Sequence, residues 1–311
     1  MSNILISGLV NVETTLKVRQ FPIEYYPIDY PFFGIRTAVS GVAYNVAKAA
    51  ATLGDRVRLL SMTGSDFQAA YIRDALTGCG IGAACVLPVL DETPSSVILY
   101  EESGRRQVWC DLKDIQESAY PFSEECLDGV DLVVACNINF NRPLLERAKA
   151  AGKTIATDVH VLSDIYDDYN RDFLSYADIL FLSDEALGEH YHGFIRELAG
   201  VYGNKVIVLG RGSKGAAIFL KDSGQLLELP AVRVGQIVNT VGAGDALFTA
   251  FIHYYSNGLD PVEALICGEL FASAKIGVSG GAEGFVDEMQ IQMYYDRFTD
   301  QIKQQIRTID L

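Results

Sequence analysis

The chain has 311 residues, 49% of them hydrophobic, with 25 basic against 40 acidic side chains and a net charge of −15. That acidity excludes phosphate-backbone binding as its main task, because nucleic-acid binders present basic surface; small anions held by local geometry stay open. The apolar content suffices for one large core, and no apolar run reaches the ~20 residues of a membrane span.

The opening "MSNILISGLV" lacks a basic leader and reads as a short buried strand. Residues 11–37, "NVETTLKVRQFPIEYYPIDYPFFGIRT", are rich in proline and aromatics and show no helical period. "GVAYNVAKAAATLG" and "DFQAAYIRDALTGCG" have helical spacing, with Gly54 and Gly78 as their stops, and "VRLLSMTG" between them reads as a strand. Residues 94–112 read as two strands joined by the turn Glu102-Ser103-Gly104. Together with 11–37 they predict a small β lid over one edge of the sheet.

The later runs "LVVACNI", "TIATDV", "DILFLS" and "KVIVLG" are apolar on both faces, as strands of a covered parallel sheet are. "DPVEALICGELFASAKIG" carries a helix start: Asp260 as N-cap, Pro261 in the first turn and Glu263 three residues after the cap. Strands alternating with helices predict an α/β fold with a doubly wound, mostly parallel sheet flanked by helices. We read residues 1–311 as a single domain with the lid at about 11–37 and 94–112. The six cysteines show no C-x-x-C spacing and read as free thiols of a cytoplasmic protein without a membrane anchor. Uncovered lid strands predict a homodimer through the lid.

Two glycine clusters compete for an anion site. "GRGSKG", residues 210–215, fits G-x-G-x-x-G after a strand, but the following "AAIFLKDSGQLLELP" reads as two strands around Asp222-Ser223-Gly224. A dinucleotide fingerprint needs a helix there, so that reading fails. "NTVGAGDALFTAF", residues 239–251, follows the extended, apolar "AVRVGQIV" and opens a helix. Leu247, Phe248, Phe251, Ile252 and Tyr255 form its stripe, and Asn257-Gly258 stops it. The N–H groups of Val241 to Asp245 would converge at that N-terminus and cradle an anion whose charge grows during reaction. On these residues alone Asp245 is either a helix-terminus charge or a base.

"NTVGAGDALFTAF" resembles the D-T-x-G-A-G-D signature of the ribokinase-like (PfkB) carbohydrate kinases. "GLVNVE", "SGVAYNVAKAAATLG", "GSDFQAAYIRDALTGCGI", "TPSSVIL", "RGSKGA" and "GGAEG" resemble further motifs of that family in matching order along nearly the whole chain. The resemblance implies an ATP-dependent phosphotransferase acting on a hydroxymethyl group of a sugar or nucleoside. Asp245 is then the general base, and Gly242, Ala243 and Gly244 form the backbone anion hole. Asn11, Glu13, Gly41 and Asn45 match the substrate-binding positions. Ser183, Gly212, Gly215 and Thr240 match the nucleotide side. It further implies Mg2+, with Asp184 or Glu185 as its carboxylate, and potassium held by backbone near Asn239 and Gly281.

Several positions depart from the family pattern. Ser40-Gly41 stands for a glycine pair, Ala43 for a further glycine, and Glu13 for an aspartate. Asn239 opens the signature in place of aspartate. "SDEA", residues 183–186, lacks both the asparagine and the glutamate of N-x-x-E. These departures keep a second reading in view, a catalytically weak or silent sugar- or nucleoside-binding homologue. Asp158 and His160 end a predicted strand, where α/β sheets place ligands. The other histidines read as structural or solvated, and the aromatics Tyr25, Tyr26, Tyr30, Phe32 and Phe33 mostly as packing within the lid.

Overall fold

A computed structural model describes residues 1–103 and 105–309, and Glu189 without its side chain. The turn expected at Glu102-Ser103-Gly104 therefore lies partly outside the described residues, at Gly104. In chain order β1 (Asn3–Ser7) is followed by β2 (Asn11–Lys17), β3 (Ile35–Ser40), α1 (Val42–Thr52), β4 (Arg56–Thr63), α2 (Phe67–Gly78), β5 (Val86–Pro88), β6 (Ser95–Tyr100) and β7 (Arg106–Asp111). Then come β8 (Leu132–Ala135), α3 (Arg142–Ala150), β9 (Thr154–Val161), α4 (Arg171–Tyr176), β10 (Ile179–Ser183), α5 (Tyr191–Tyr202) and β11 (Val206–Gly210). The chain closes with β12 (Ala216–Leu220), β13 (Gln225–Leu229), α6 (Ala243–Ser256), α7 (Pro261–Lys275), α8 (Glu288–Lys303) and β14 (Arg307–Ile309).

Ten strands form one sheet in the order β14-β13-β12-β11-β10-β9-β8-β1-β4-β5, parallel from β11 to β5 and antiparallel at the β12–β14 end. Alternate side chains of each central strand feed two cores. Ile4, Ile6, Val134, Phe181 and Val208 point to the layer of α1, α2, α6, α7 and α8. Leu5, Val133, Leu180 and Ile207 point to that of α3, α4 and α5. Burial on both faces is why these strands read as unbroken apolar runs.

The sheet order reverses at β1: β4 lies on one side of it and β8 on the other. Clefts at such a switch point, beyond the carboxyl ends of the strands, are where α/β sheets bind ligands. From the end of β1 the chain runs straight into the second sheet, β3-β2-β6-β7. This is the expected lid, with β3 extending to Ser40. Among the described residues no helix is long and apolar enough to cross a membrane.

Two local expectations are corrected, on α2 and on the lid aromatics. Gly78 does not close α2; it is the last helical residue, Cys79 is the C-cap, and Gly80 takes the left-handed conformation at φ 72°. "AVRVGQIV", read as extended, joins no ladder, because β13 ends at Leu229 and Pro230 has no N–H to continue it. Ile237 and Val238 are exposed instead. The lid aromatics do not pack inward: Tyr25, Phe32 and Phe33 are 89%, 85% and 96% exposed.

Candidate active site

Helix α6 starts without a side-chain cap. Its N-cap, Gly242, sits at φ 77°, and a Cβ there would stand 2.1 Å from the Gly281 carbonyl oxygen. The position therefore admits only glycine, and the turn is pressed against the 280–282 loop. Gly244 is the opposite case: a Cβ on it would meet nothing within 4 Å. The amide of Ala243 is spent on Thr240 O at 3.2 Å. Those of Gly242, Gly244 and Asp245 have no acceptor among the described residues. Open space before unpaired N–H groups at a helix N-terminus is suited to an anion.

Asp245 stands in that first turn, half-buried, and its Oδ2 accepts a 2.7 Å bond from Asn45 Nδ2. Burial raises its pKa above the ordinary aspartate value; the Asn45 bond and the nearby His160 and Lys275 charges work against that rise. Asn45 is on α1, whose N-cap Gly41 has φ 98° and whose missing Cβ would be 2.5 Å from Leu9 O. That close approach, together with the Ala43 N to Leu9 O bond of 3.1 Å, aims the start of α1 at the end of β1.

Across the cleft the lid presents Asn11 and Glu13, two residues apart on β2 and hence on one face. Both are buried. Asn11 Nδ2 donates to Ser96 Oγ at 3.1 Å, and Ser40 Oγ donates to Glu13 Oε2 at 3.0 Å. Burial pushes Glu13 up; the Ser40 bond pulls it down, and the charge of Asp245 pushes it up again. Asn11 Oδ1 and Asn45 Oδ1 are buried with no hydrogen-bond partner. Two orphaned acceptors beside two carboxylates are the surroundings a ligand with several hydroxyls would complete.

Of the residues matched to the nucleotide side, Ser183, Gly212 and Gly215 lie at or just beyond the ends of β10 and β11, and Thr240 lies just before α6. Gly215 is fixed by packing, since a Cβ would lie 2.1 Å from Leu229 O, whereas Gly212 faces open space. The helix that a dinucleotide motif needs is absent: a short 3-10 turn, Gly212–Lys214, leads directly into β12. Ser183 Oγ accepts from Glu185 N at 3.3 Å, Thr240 is exposed, and Glu185 is exposed. Asp184 faces the largely covered side chain of Arg211, with Oδ2 3.8 Å from Nε; Arg211 also pairs with Glu228 and lies 4.3 Å over the Tyr191 ring. Gly210 abuts Leu247, which ties this group to α6.

Asp158 and His160 reach the site as well. Asp158 Oδ1 accepts the His160 amide at 2.8 Å, His160 sits at φ 60°, and the charges of both act on Asp245. Sequence reasoning missed Lys275. It is wholly buried at the end of α7, it donates to Gly280 O, and burial lowers it to about 8 against the opposing pull of Asp245, Glu13 and Glu283. A lone lysine in a last helical turn reads as a dipole partner in solvent, so nothing in its own neighbourhood flagged it.

The sequence of residues 1–288 matches the pfkB family carbohydrate kinases. The chain belongs to that family. It is a carbohydrate or nucleoside kinase. It is 29% identical over 235 residues to a cytidine kinase of Thermococcus kodakarensis, covering 71% of this chain and 82% of that one. Among solved structures it is similar to a microbiome-derived acarbose kinase, with a TM-score of 0.84, 25% identity, and coverage of 94% of this chain and 98% of that one. The nucleoside kinase of Methanocaldococcus jannaschii, described as an archaeal member of the ribokinase family, shares the fold. Its TM-score is 0.80 at 20% identity, with 96% and 99% of the two chains covered.

Proposed function

We propose that this kinase transfers the γ-phosphoryl group of ATP to a hydroxymethyl group of a sugar or nucleoside, with Asp245 as general base. The observation that carries the reading is the placement of Asp245. One carboxylate, bonded to Asn45, stands at a helix N-terminus with unpaired amides, and buried, unpartnered acceptors remain on Asn45 itself and on Asn11 of the lid. Phosphoryl transfer asks little covalent work of a protein. It asks for an in-line nucleophile and for charge stabilisation on the moving oxygens. Asp245 takes the acceptor proton; the amides of Gly242, Gly244 and Asp245 meet the charge that develops. Asn11, Glu13 and Asn45 orient the acceptor, while Gly212 and Thr240 leave room for the nucleotide.

Magnesium, on this reading, arrives with the nucleotide and neutralises its phosphates. Among the described residues no group of three His, Cys, Asp or Glu could hold a metal, which suits an ion carried mostly by phosphate oxygens and water. Glu185, exposed, and Asp184, shared with Arg211, are the carboxylates at hand. The potassium implied by the resemblance fits less well. Asn239 Oδ1 already accepts from Val241 N at 2.8 Å, Gly281 O closes on Gly242, and Gly280 O accepts from Lys275.

The lid dimer is part of the proposal: β7 is an edge strand whose six residues are all exposed, and Val108 and Trp109 lie on it. Because relatives include cytidine and other nucleoside kinases, nucleosides head the acceptor panel. Purified protein incubated with ATP, magnesium and a panel of nucleosides and sugars is expected to phosphorylate at least one, and Asp245→Asn to slow that turnover by roughly two to four decades. No ATP-dependent phosphorylation anywhere in a broad panel would overturn the reading.

A further inference from the structure

We propose that the Lys275 ammonium is a built-in cation behind the anion turn, a positioning residue that holds the 280–282 loop against Gly242 and makes bound potassium unnecessary. The inference rests on the kinase reading for its effect on catalysis, but not for its effect on the fold. Lys275 is among the largest fully buried side chains of the protein. Burying an ammonium costs several kcal/mol unless its surroundings compensate. Among the described residues no carboxylate lies within ion-pair distance of it.

Its compensation is of the kind a monovalent cation receives. Nζ donates to the Gly280 carbonyl, at the C-terminal end of α7, where the helix dipole favours positive charge. Around it, at longer range, stand only negative groups: Asp245 on α6, Glu13 on β2 and Glu283 on the loop, the last partly committed to Lys48 at 2.9 Å. From Gly280 the contacts lead directly into the site. Gly281 O bears on Gly242, and the Gly281 Cα side faces Ser40 Oγ and Asn45 Nδ2, from which a Cβ would be 3.2 and 3.3 Å. A single ammonium thus fixes the loop that backs the anion turn and borders the partner of the base. The Gly280 carbonyl and the Asn239 side-chain oxygen, two of the groups that could help cage a metal ion, are meanwhile engaged by protein donors.

The test compares wild type with Lys275→Met, which keeps length without charge, and Lys275→Ala, which opens room for a small cation. Each is assayed in sodium, potassium, ammonium and tetramethylammonium salts. Wild type is expected to show the same kcat and the same melting temperature in all four. Lys275→Met should lose kcat roughly 10–100-fold, less than or similar to loss of one direct oxyanion donor. Lys275→Ala should regain part of its loss, and gain thermal stability, in potassium or ammonium but not in tetramethylammonium. The melting measurement needs no substrate, so it separates failure of this inference from failure of the kinase reading. Activation or stabilisation of wild type by potassium over tetramethylammonium would overturn the proposal. So would a Lys275→Met enzyme with wild-type kcat. If Lys275→Ala does not fold, Lys275→Met and the wild-type salt series still decide.

Discussion

Glu269, in the middle of α7, is a buried carboxyl with no hydrogen-bond or ion-pair partner among the described residues, and burial alone pushes it up to about 8. In the folded state it is therefore neutral over a range where the unfolded chain, with an ordinary value near 4.5, has lost that proton. Between these values the folded state binds more protons, so this group's contribution to stability falls as pH rises from 4.5 and levels off above about 8. His253, clamped between Asp55 and Glu288, is shifted upward, and its contribution also fades as pH rises through its folded value. The informative quantity is then a difference between proteins. Glu269→Gln should be more stable than wild type at pH 8 by on the order of 2 kcal/mol, with the gap closing toward pH 5. Melting curves of both proteins across that range check it, and parallel curves would refute it. Residues such as Asn45, Glu13 and Asp245 were legible in the sequence because each lies inside a patterned stretch. Lys275 and Glu269 were not. Charged residues in a helix ordinarily mark its solvent face, and only the packing of α7 between α6 and α8 removes that face.

At the scale of the element, the start of α6 makes one turn do two jobs. Gly242 is packed against the 280–282 loop and Gly244 faces open space, though the sequence G-A-G treats them alike. Gly242→Ala must place a methyl into the Gly281 carbonyl at a left-handed residue, where a side chain costs about 1–2 kcal/mol before any clash. It is expected to lower both the melting temperature and kcat. Gly244→Ala adds a methyl to open space, so it should melt like wild type but bind ATP less well, seen as a raised KM. Equal thermal losses in the two variants would contradict this division. Most helix starts and stops were readable from caps, as at Asp260, whose side chain accepts from Val262 N and Glu263 N. The end of α2 was misread because two glycines lie two residues apart, and only the backbone conformation shows that Gly80 is the one at positive φ.

For the whole molecule, the two-faced burial of the central strands was legible, and with it a covered parallel sheet. The strand order was not, because pairing β1 with both β4 and β8 is a long-range choice that no local pattern records. Nor was the outward display of the lid aromatics, since an aromatic run reads the same whether it packs inside or waits for a partner. A cavity of about 410 Å³ lies between the lid strands and the 18–31 segment, lined by Leu16, Ile23, Tyr26 and Leu99, apart from Asp245 and the start of α6. Lids that pair across exposed edges such as β7 predict a dimer by light scattering at micromolar concentration, shifted toward monomer by Trp109→Glu. A wild-type monomer under those conditions would remove the lid dimer from the account.

The central claim is that Asp245 is a base and not only a charge at a helix start. The two roles differ in size. A first-turn charge contributes about 0.3–1 kcal/mol to folding, whereas a positioned general base contributes roughly 10²–10⁴-fold in rate. The deciding measurement is kcat for Asp245→Asn with chemistry limiting, alongside its melting temperature and KM for ATP. We expect a protein that melts within a few degrees of wild type, keeps its KM for ATP, and loses kcat by roughly two to four decades. A variant that kept more than about a third of wild-type kcat would show the carboxylate to be structural and contradict the mechanism.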